Sequence, residues 1–247
     1  MIEQEIEIST PDGVSDGLLL RPEHSGSWPG VIQFTDIGGP RQATHEMAQR
    51  LAAQGYTVLM PNAFYRTGRP PLFSFKPSFP DERTMKRFAE LAGPLTPEAV
   101  ERDAAMYVDF LSAQPWVNSG PLGVVGYCIS GGIALRVAAA RPDQIAAAAS
   151  FHGGGLCSDA ATSPHLLLPR IKARLYFGHA HNDRTMPQTA IDKLEGALRA
   201  WGGRFGSEVY EGAGHGWTVP DASVYDKAAA ERAFKALTDL FGQTLKR

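Results

Sequence analysis

The stretch with the most chemical content is Leu122-Gly123-Val124-Val125-Gly126-Tyr127-Cys128-Ile129-Ser130-Gly131-Gly132. An apolar run ends at a cysteine, and a helix-forming segment follows at once. One nucleophile between a buried strand and a Gly-rich helix start has the layout of a nucleophile elbow, a turn so sharp that the side chain stands exposed at the top of a sheet. Gly126, two residues before the cysteine, leaves the neighbouring backbone room. The small residue expected two positions after the cysteine is Ser130 rather than Gly, with Gly131 following. A helix N-terminus favours a thiolate through its free N–H groups and its macrodipole. The free N–H of Ile129 points to where a tetrahedral oxyanion would form. The competing expectation is a packed, inert thiol, because free cysteine is among the most buried residue types. The strand–turn–helix setting favours the nucleophile.

A thiol nucleophile needs a base and an acid that orients it. Leu175-Tyr176-Phe177-Gly178-His179-Ala180-His181-Asn182-Asp183 reads as a strand entering a polar loop, and Asp183 stands shortly before Met186-Pro187. Val209-Tyr210-Glu211-Gly212-Ala213-Gly214-His215-Gly216-Trp217 is a later strand entering a loop, with His215 between glycines. In this reading His215 moves the proton and Asp183 fixes its tautomer and supports the imidazolium. Taken singly, each residue is most simply a surface histidine or an Asx-turn aspartate. Taken together, Cys128, Asp183 and His215 occur in the chain order an elbow demands, each after an expected strand. His179, His181 and Asp183 also have H-x-H-x-D spacing, which could ligate zinc. A fourth ligand is not evident and Arg184 follows directly, so no metal is expected. A second oxyanion donor is expected from the N–H of Ile37 in Phe34-Thr35-Asp36-Ile37-Gly38-Gly39, after an early strand.

These residues need a scaffold that carries each of them at a strand end. Ile2 to Ile8 alternates as an antiparallel edge strand, and Gly17 to Leu20 returns after the turn Thr10-Pro11-Asp12-Gly13. Short apolar strands then alternate with helices: strands at 31–35, 56–60, 121–126, 145–150, 174–177 and 208–210, helices at about 42–54, 129–140, 188–201 and 224–241. Thr96 followed by Pro97 opens a further helix, as N-cap and first helical residue. The alternation predicts an α/β fold with a mostly parallel sheet, helices on both faces and an antiparallel N-terminal edge hairpin. Ligands in such sheets sit at the carboxyl ends of the strands. Residues 62–96 read as an irregular, lid-like segment of one domain spanning 1–247. It is rich in prolines and aromatics, with a short helical piece near Arg83 to Leu91.

Composition narrows the class. The 247 residues are 43% hydrophobic and carry 24 Lys+Arg against 26 Asp+Glu. That is enough for a packed core and argues against a nucleic-acid partner, which would call for a basic excess. No apolar run approaches the roughly 18 residues of a membrane helix, so no membrane partner is expected. The start MIEQEIEIST has neither a basic nor an apolar signal region, and two cysteines, Cys128 and Cys157, make no disulfide framework. A cytoplasmic protein with no cofactor is the expectation, with the oligomeric state left open.

The chain resembles the dienelactone hydrolases of the α/β-hydrolase fold, from about Gly30 to the last helix. The resemblance rests on Gly126-Tyr127-Cys128, on Asp183 four residues before Pro187, on Gly214-His215, and on Gln54-Gly55-Tyr56 leading to Pro61-Asn62. It implies a Cys–His–Asp triad, with the N–H groups of Ile129 and Ile37 as oxyanion hole. It also implies that a carboxylate at position 36 acts on the resting thiol; here that residue is Asp36, one methylene shorter than the family's Glu. His152, in Phe151-His152-Gly153-Gly154-Gly155, would line the pocket, a satisfied structural histidine being the alternative. Tyr127, Trp217, Arg83 and Arg87 complete the candidate substrate contacts. The arginine that the family carries four residues after the catalytic His is Val219 here. Arg66, Arg69, Lys76, Arg83, Lys86 and Arg87 leave the irregular segment locally basic, which favours an anionic substrate if it is more than a solvated loop. The implied activity is hydrolysis of an activated ester or lactone through a thioester. A thioesterase or acyl transferase with the same triad, and a small-molecule-binding or thiol-redox module without turnover, are the alternatives.

Overall fold

The computed structural model describes residues 1–246. One eight-stranded sheet runs through it, in the order β1-β2-β4-β3-β5-β6-β7-β8. The strands are β1 (Ile2–Thr10), β2 (Gly13–Arg21), β3 (Gly30–Phe34), β4 (Thr57–Pro61), β5 (Leu122–Tyr127), β6 (Ile145–Phe151), β7 (Arg174–Ala180) and β8 (Phe205–Tyr210). All pairs from β4 through β8 are parallel, whereas β2 runs antiparallel to both β1 and β4. The edge hairpin is longer than its alternation suggested: the register continues to Thr10 opposite Gly13. The extension buries Ser15, whose hydroxyl donates to the Asn62 carbonyl (3.0 Å) and accepts from Tyr107 (3.1 Å). A polar residue can therefore sit inside the sheet there.

Strands β3, β4 and β5 are buried at every position. That is why they read as continuous apolar runs rather than alternating ones. The helices are α1 (Gln42–Ala52), α2 (Glu82–Ala92), α3 (Pro97–Ser112), α4 (Ser130–Ala140), α5 (Gln188–Trp201) and α6 (Lys227–Leu245). Helices α3, α4 and α5 bury Val108, Leu135 and Leu194 on one face of the sheet. On the other face, α1 and α6 bury Leu51 and Phe241. Thr96 caps α3 by accepting the Ala99 N–H (3.3 Å). The last helix begins at Lys227, three residues later than its apolar period suggested, because Asp226 caps it by accepting the Ala229 N–H (3.0 Å). Among the described residues no helix is long and apolar enough to cross a membrane.

The 62–96 segment is anchored where it leaves β4. Asn62 accepts the Phe64 N–H and donates to Asp16. Arg66 pairs with Asp103 of α3 (2.7 Å). Its middle is carried by α2, which Asp81 caps through the Thr84 N–H (3.1 Å). Leu72, 2% exposed, packs onto the turn after β3, where a Cβ on Gly39 would meet it at 2.3 Å.

Candidate active site

Cys128 sits directly after β5 with a φ of +56°. Side chains rarely adopt that conformation, and it turns the thiol out above the sheet end. Gly126 makes the turn possible, since a Cβ there would lie 1.9 Å from the Ser130 carbonyl oxygen. Ser130 is tolerated because the next tight approach falls on Gly131, where a Cβ would lie 2.2 Å from Ser150 Oγ. The serine is wholly buried and its hydroxyl has no partner among the described residues.

The loops after β7 and β8 bring two further side chains to the thiol. His215 Nε2 lies 3.1 Å from Cys128 Sγ, and His215 Nδ1 lies 2.6 Å from Asp183 Oδ2. The other Asp183 oxygen accepts from the Thr185 N–H (2.8 Å) and the Thr185 hydroxyl (2.7 Å). Burial works against a charge on His215. The Asp183 bond, with the contact and charge of Cys128, outweighs it and pushes the imidazole up to about 10. Burial likewise raises Asp183, but the bonds and charge of His215 and the Thr185 donors hold it below its ordinary value. The arrangement stabilises a proton on the imidazole and a negative charge on Asp183.

The N–H groups of Ile129 and Ile37 have no acceptor among the described residues, so both are open to a substrate oxygen. The Ile37 turn is held by Asp36, which accepts the Gly38 N–H on its side chain (3.0 Å) and the Gly39 N–H on its carbonyl (3.0 Å).

Several expected contacts are placed otherwise. Asp36 does not reach the thiol: its carboxylate is held in a two-point ion pair by Arg41 (2.6 and 2.9 Å), which is nearer along the same turn. Arg41 also grips Asp221 through Nε (2.8 Å) and a terminal nitrogen (2.9 Å). That clamp joins the Ile37 turn to the loop carrying His215. His152 does not line a pocket, because a φ of +41° turns its fully buried ring into the core. Trp217 is fully buried and stacks on Tyr210 (4.8 Å), behind His152. Tyr127 points to the α1–α6 face, stacked on Phe151. There it borders a cavity of about 190 Å³ that none of Cys128, Asp183 and His215 lines. Arg87 is engaged by the Leu72 carbonyl (2.9 Å) and by Glu90 (2.9 Å), which braces the segment over the Ile37 turn. Arg83 is exposed and lies over the Phe75 ring (3.9 Å).

The H-x-H-x-D residues are engaged separately. His179 is buried and stacked on Phe177, and burial takes its pKa down to about 4. His181 pairs with Glu211 (2.7 Å), and Asp183 is bonded to His215. Sequence reasoning missed Arg41, Thr185, Thr218 and Asp221. Of these only Thr185 left a local signal, as an Asp-x-Thr turn in which a side-chain oxygen caps the N–H two residues on.

Comparison with known proteins gives the family and the fold. The model of the dienelactone hydrolase family matches residues 15–245. A carboxymethylenebutenolidase of Rhodococcus opacus is 27% identical over 226 residues, covering 90% of this chain and 83% of its own length. A Synechocystis protein provisionally given the same name is 25% identical over 233 residues, 93% of this chain and 92% of its own. Among solved structures, a Klebsiella pneumoniae protein provisionally described as a dienelactone hydrolase superposes with a TM-score of 0.86 at 23% identity, covering 98% of each chain. A dienelactone hydrolase-like promiscuous phosphotriesterase from metagenomic libraries gives 0.80 at 23% identity over 99% of each chain. Both structures are likenesses of fold.

Proposed function

Since the chain belongs to the dienelactone hydrolase family and is a hydrolase of small ester or lactone substrates, we propose that it opens them through a thioester on Cys128. The observation that carries the reading is the pair of contacts at His215, 3.1 Å to the thiol and 2.6 Å to Asp183. The Cys128 sulfur attacks the carbonyl carbon and an S–C bond forms. The carbonyl oxygen becomes an oxyanion that accepts from the Ile129 and Ile37 N–H groups. The His215 imidazolium gives its proton to the leaving oxygen as the C–O bond breaks, which leaves the thioester and neutral imidazole. For a lactone the alcohol released stays tethered to the acyl group. Water then gives a proton to His215 as it attacks the thioester, and the thiolate departs. A thiolate is a better leaving group than most alkoxides or amines, so adducts of poor leaving groups revert. Activated esters, enol esters and lactones are therefore favoured over amides.

In this reading residues 62–96 form the variable, substrate-facing wall of a single domain. The anionic preference rests on Arg83, which has no carboxylate partner among the described residues, whereas Arg41 and Arg87 are already paired. The test is mass spectrometry of the protein mixed with a panel of neutral and anionic lactones and activated esters, alongside Cys128→Ala. An acyl adduct on Cys128, absent in the variant together with turnover, supports the reading. Unchanged turnover in Cys128→Ala sinks it, and alkylation of the thiol without any acyl adduct points instead to a thiol-reactive module.

A further inference from the structure

Two residues outside the glycines carry strain side by side at the top of the sheet. Strands β5 and β6 are parallel neighbours, with Tyr127 opposite Phe151. The next residue on each strand, Cys128 and His152, has a positive φ, +56° and +41°. Such conformations persist only where the surroundings over-determine them. Here each helps to hold the other. The Cys128 N–H is shared between the Phe151 carbonyl (3.1 Å) and His152 Nδ1 (3.1 Å). The His152 N–H in turn donates to the Gly178 carbonyl (2.7 Å) on β7.

The same imidazole has a second attachment. An Nδ1 that accepts must be unprotonated, so in the neutral ring the proton sits on Nε2. That nitrogen lies 2.7 Å from Thr218 Oγ1 and donates to it. Thr218 is three residues beyond His215, in the same loop. The His152 ring also packs edge-on against the His215 ring, 5.4 Å between centroids. Burial first, and then the positive charge of His215, keep His152 neutral, with its pKa well below 6.5. Neutral is the only form in which Nδ1 can accept.

We propose that His152 is a positioning residue for the acylation step: it fixes the Cys128 main chain and ties it to the loop that carries His215, so that thiol and imidazole keep their separation. Because His152 and Phe151 occupy the Cys128 N–H, the N–H of Ile129 is the one left at the elbow for the oxyanion. A residue that only filled this space could be apolar, yet both ring nitrogens are in use. The proposal rests on reading Cys128 and His215 as nucleophile and base.

His152→Phe keeps the ring volume and removes both attachments. Thr218→Val removes only the hydroxyl. The readouts are the rate at which iodoacetamide modifies Cys128 near neutral pH, followed by mass spectrometry, and kcat and KM on an activated aryl ester. His152→Phe is expected to lower both the alkylation rate and kcat by about 10- to 100-fold, with KM within about twofold, because reacting groups displaced by an ångström lose about that much. Thr218→Val is expected to lower them about fivefold, the equivalent of one hydrogen bond. It should add nothing in the His152→Phe background, because the two act as one unit. His152→Gln, whose side-chain oxygen can accept from the Cys128 N–H, should recover part of the loss. Alkylation within twofold of wild type in His152→Phe, or a full additive effect of Thr218→Val, overturns the proposal. If His152→Phe does not fold, an unchanged alkylation rate in Thr218→Val overturns it alone. Wild-type protein that acylates at Cys128 while both variants match it would sink the positioning role and leave the triad standing. Turnover that survives Cys128→Ala would sink the triad itself.

Discussion

Replacing Asp183 by asparagine tests the site most sharply, because the surroundings decide how the new amide must lie. The side chain is 2% exposed and has donors on both sides. One oxygen accepts from the N–H and hydroxyl of Thr185, and the other accepts from His215. If the new amide keeps its oxygen on Thr185, its NH₂ faces His215 Nδ1. The ring then takes the tautomer with its proton on Nε2, toward the sulfur, and cannot receive the thiol proton. If the amide flips to present oxygen to His215, the part-buried bonds from the Thr185 N–H and hydroxyl lose their acceptor. Giving up a hydrogen bond of this kind costs about 0.5–1.5 kcal/mol, so the productive rotamer is under-populated by roughly 2- to 12-fold. Even that rotamer offers a neutral oxygen where a carboxylate supported the imidazolium. Losing a hydrogen bond to a charged group costs a further 1.5–3 kcal/mol or so, about 10- to 150-fold. The product is a fall in kcat of roughly 20- to 2,000-fold. Asp183→Ala imposes no donor and admits water, so it forfeits only the second factor and should be the more active variant. The assay is steady-state hydrolysis of an activated aryl ester, with circular dichroism to confirm folding. Asp183→Asn retaining more than about a tenth of wild-type kcat, or exceeding Asp183→Ala, would refute this account of the Asp183–His215 bond.

Two further outcomes follow from the same geometry. His215 is raised to about 10 and Asp183 is held below its ordinary value, so the imidazolium–carboxylate pair persists from acid to mildly alkaline solution. The profile of kcat/KM should stay level across neutrality and fall as pH rises through about 10, where His215 loses the proton it must give to the leaving group. A rate that instead climbs through an ordinary histidine value of about 6.5 would mean that neutral His215 is the working form. Arg41→Met leaves Asp36 and Asp221, 17% and 49% exposed, without their shared cation. A loss of about 1–3 kcal/mol in denaturant titration is expected, together with a lower kcat from a loosened Ile37 turn; unchanged stability and rate would show that the clamp does no work.

What the sequence made legible, and what it did not, divides along a physical line. Cys128, Asp183 and His215 could be read because each follows an apolar run into a Gly-rich or polar loop, and a strand's end fixes where the next side chain emerges. The fold was legible for the same reason, since a run such as Leu122–Tyr127 is buried at every position only in a sheet covered on both faces. The failures fall just past strands where no run of residue types like the Gly126–Gly131 elbow sets the direction, at His152 one residue beyond β6 and at Asp36 two beyond β3. At His152 the alternation of strand side chains has stopped, and a positive φ sends the ring inward, which no pattern of residue types encodes. The misplacement of Asp36 came from reasoning about reach to the thiol while leaving out the competitor, Arg41 in the same turn, which also pairs with Asp221, 180 residues away from Arg41 in the chain. A carboxylate's partner is decided by whichever cation the backbone brings nearest. The two misses share a cause: the loop after β8 delivers Thr218 to His152 and Asp221 to Arg41, so the segment carrying the base also fixes the residues behind the nucleophile and the oxyanion turn. His215 therefore cannot shift alone, and substitutions in residues 216–221 should disturb thiol and oxyanion contacts together.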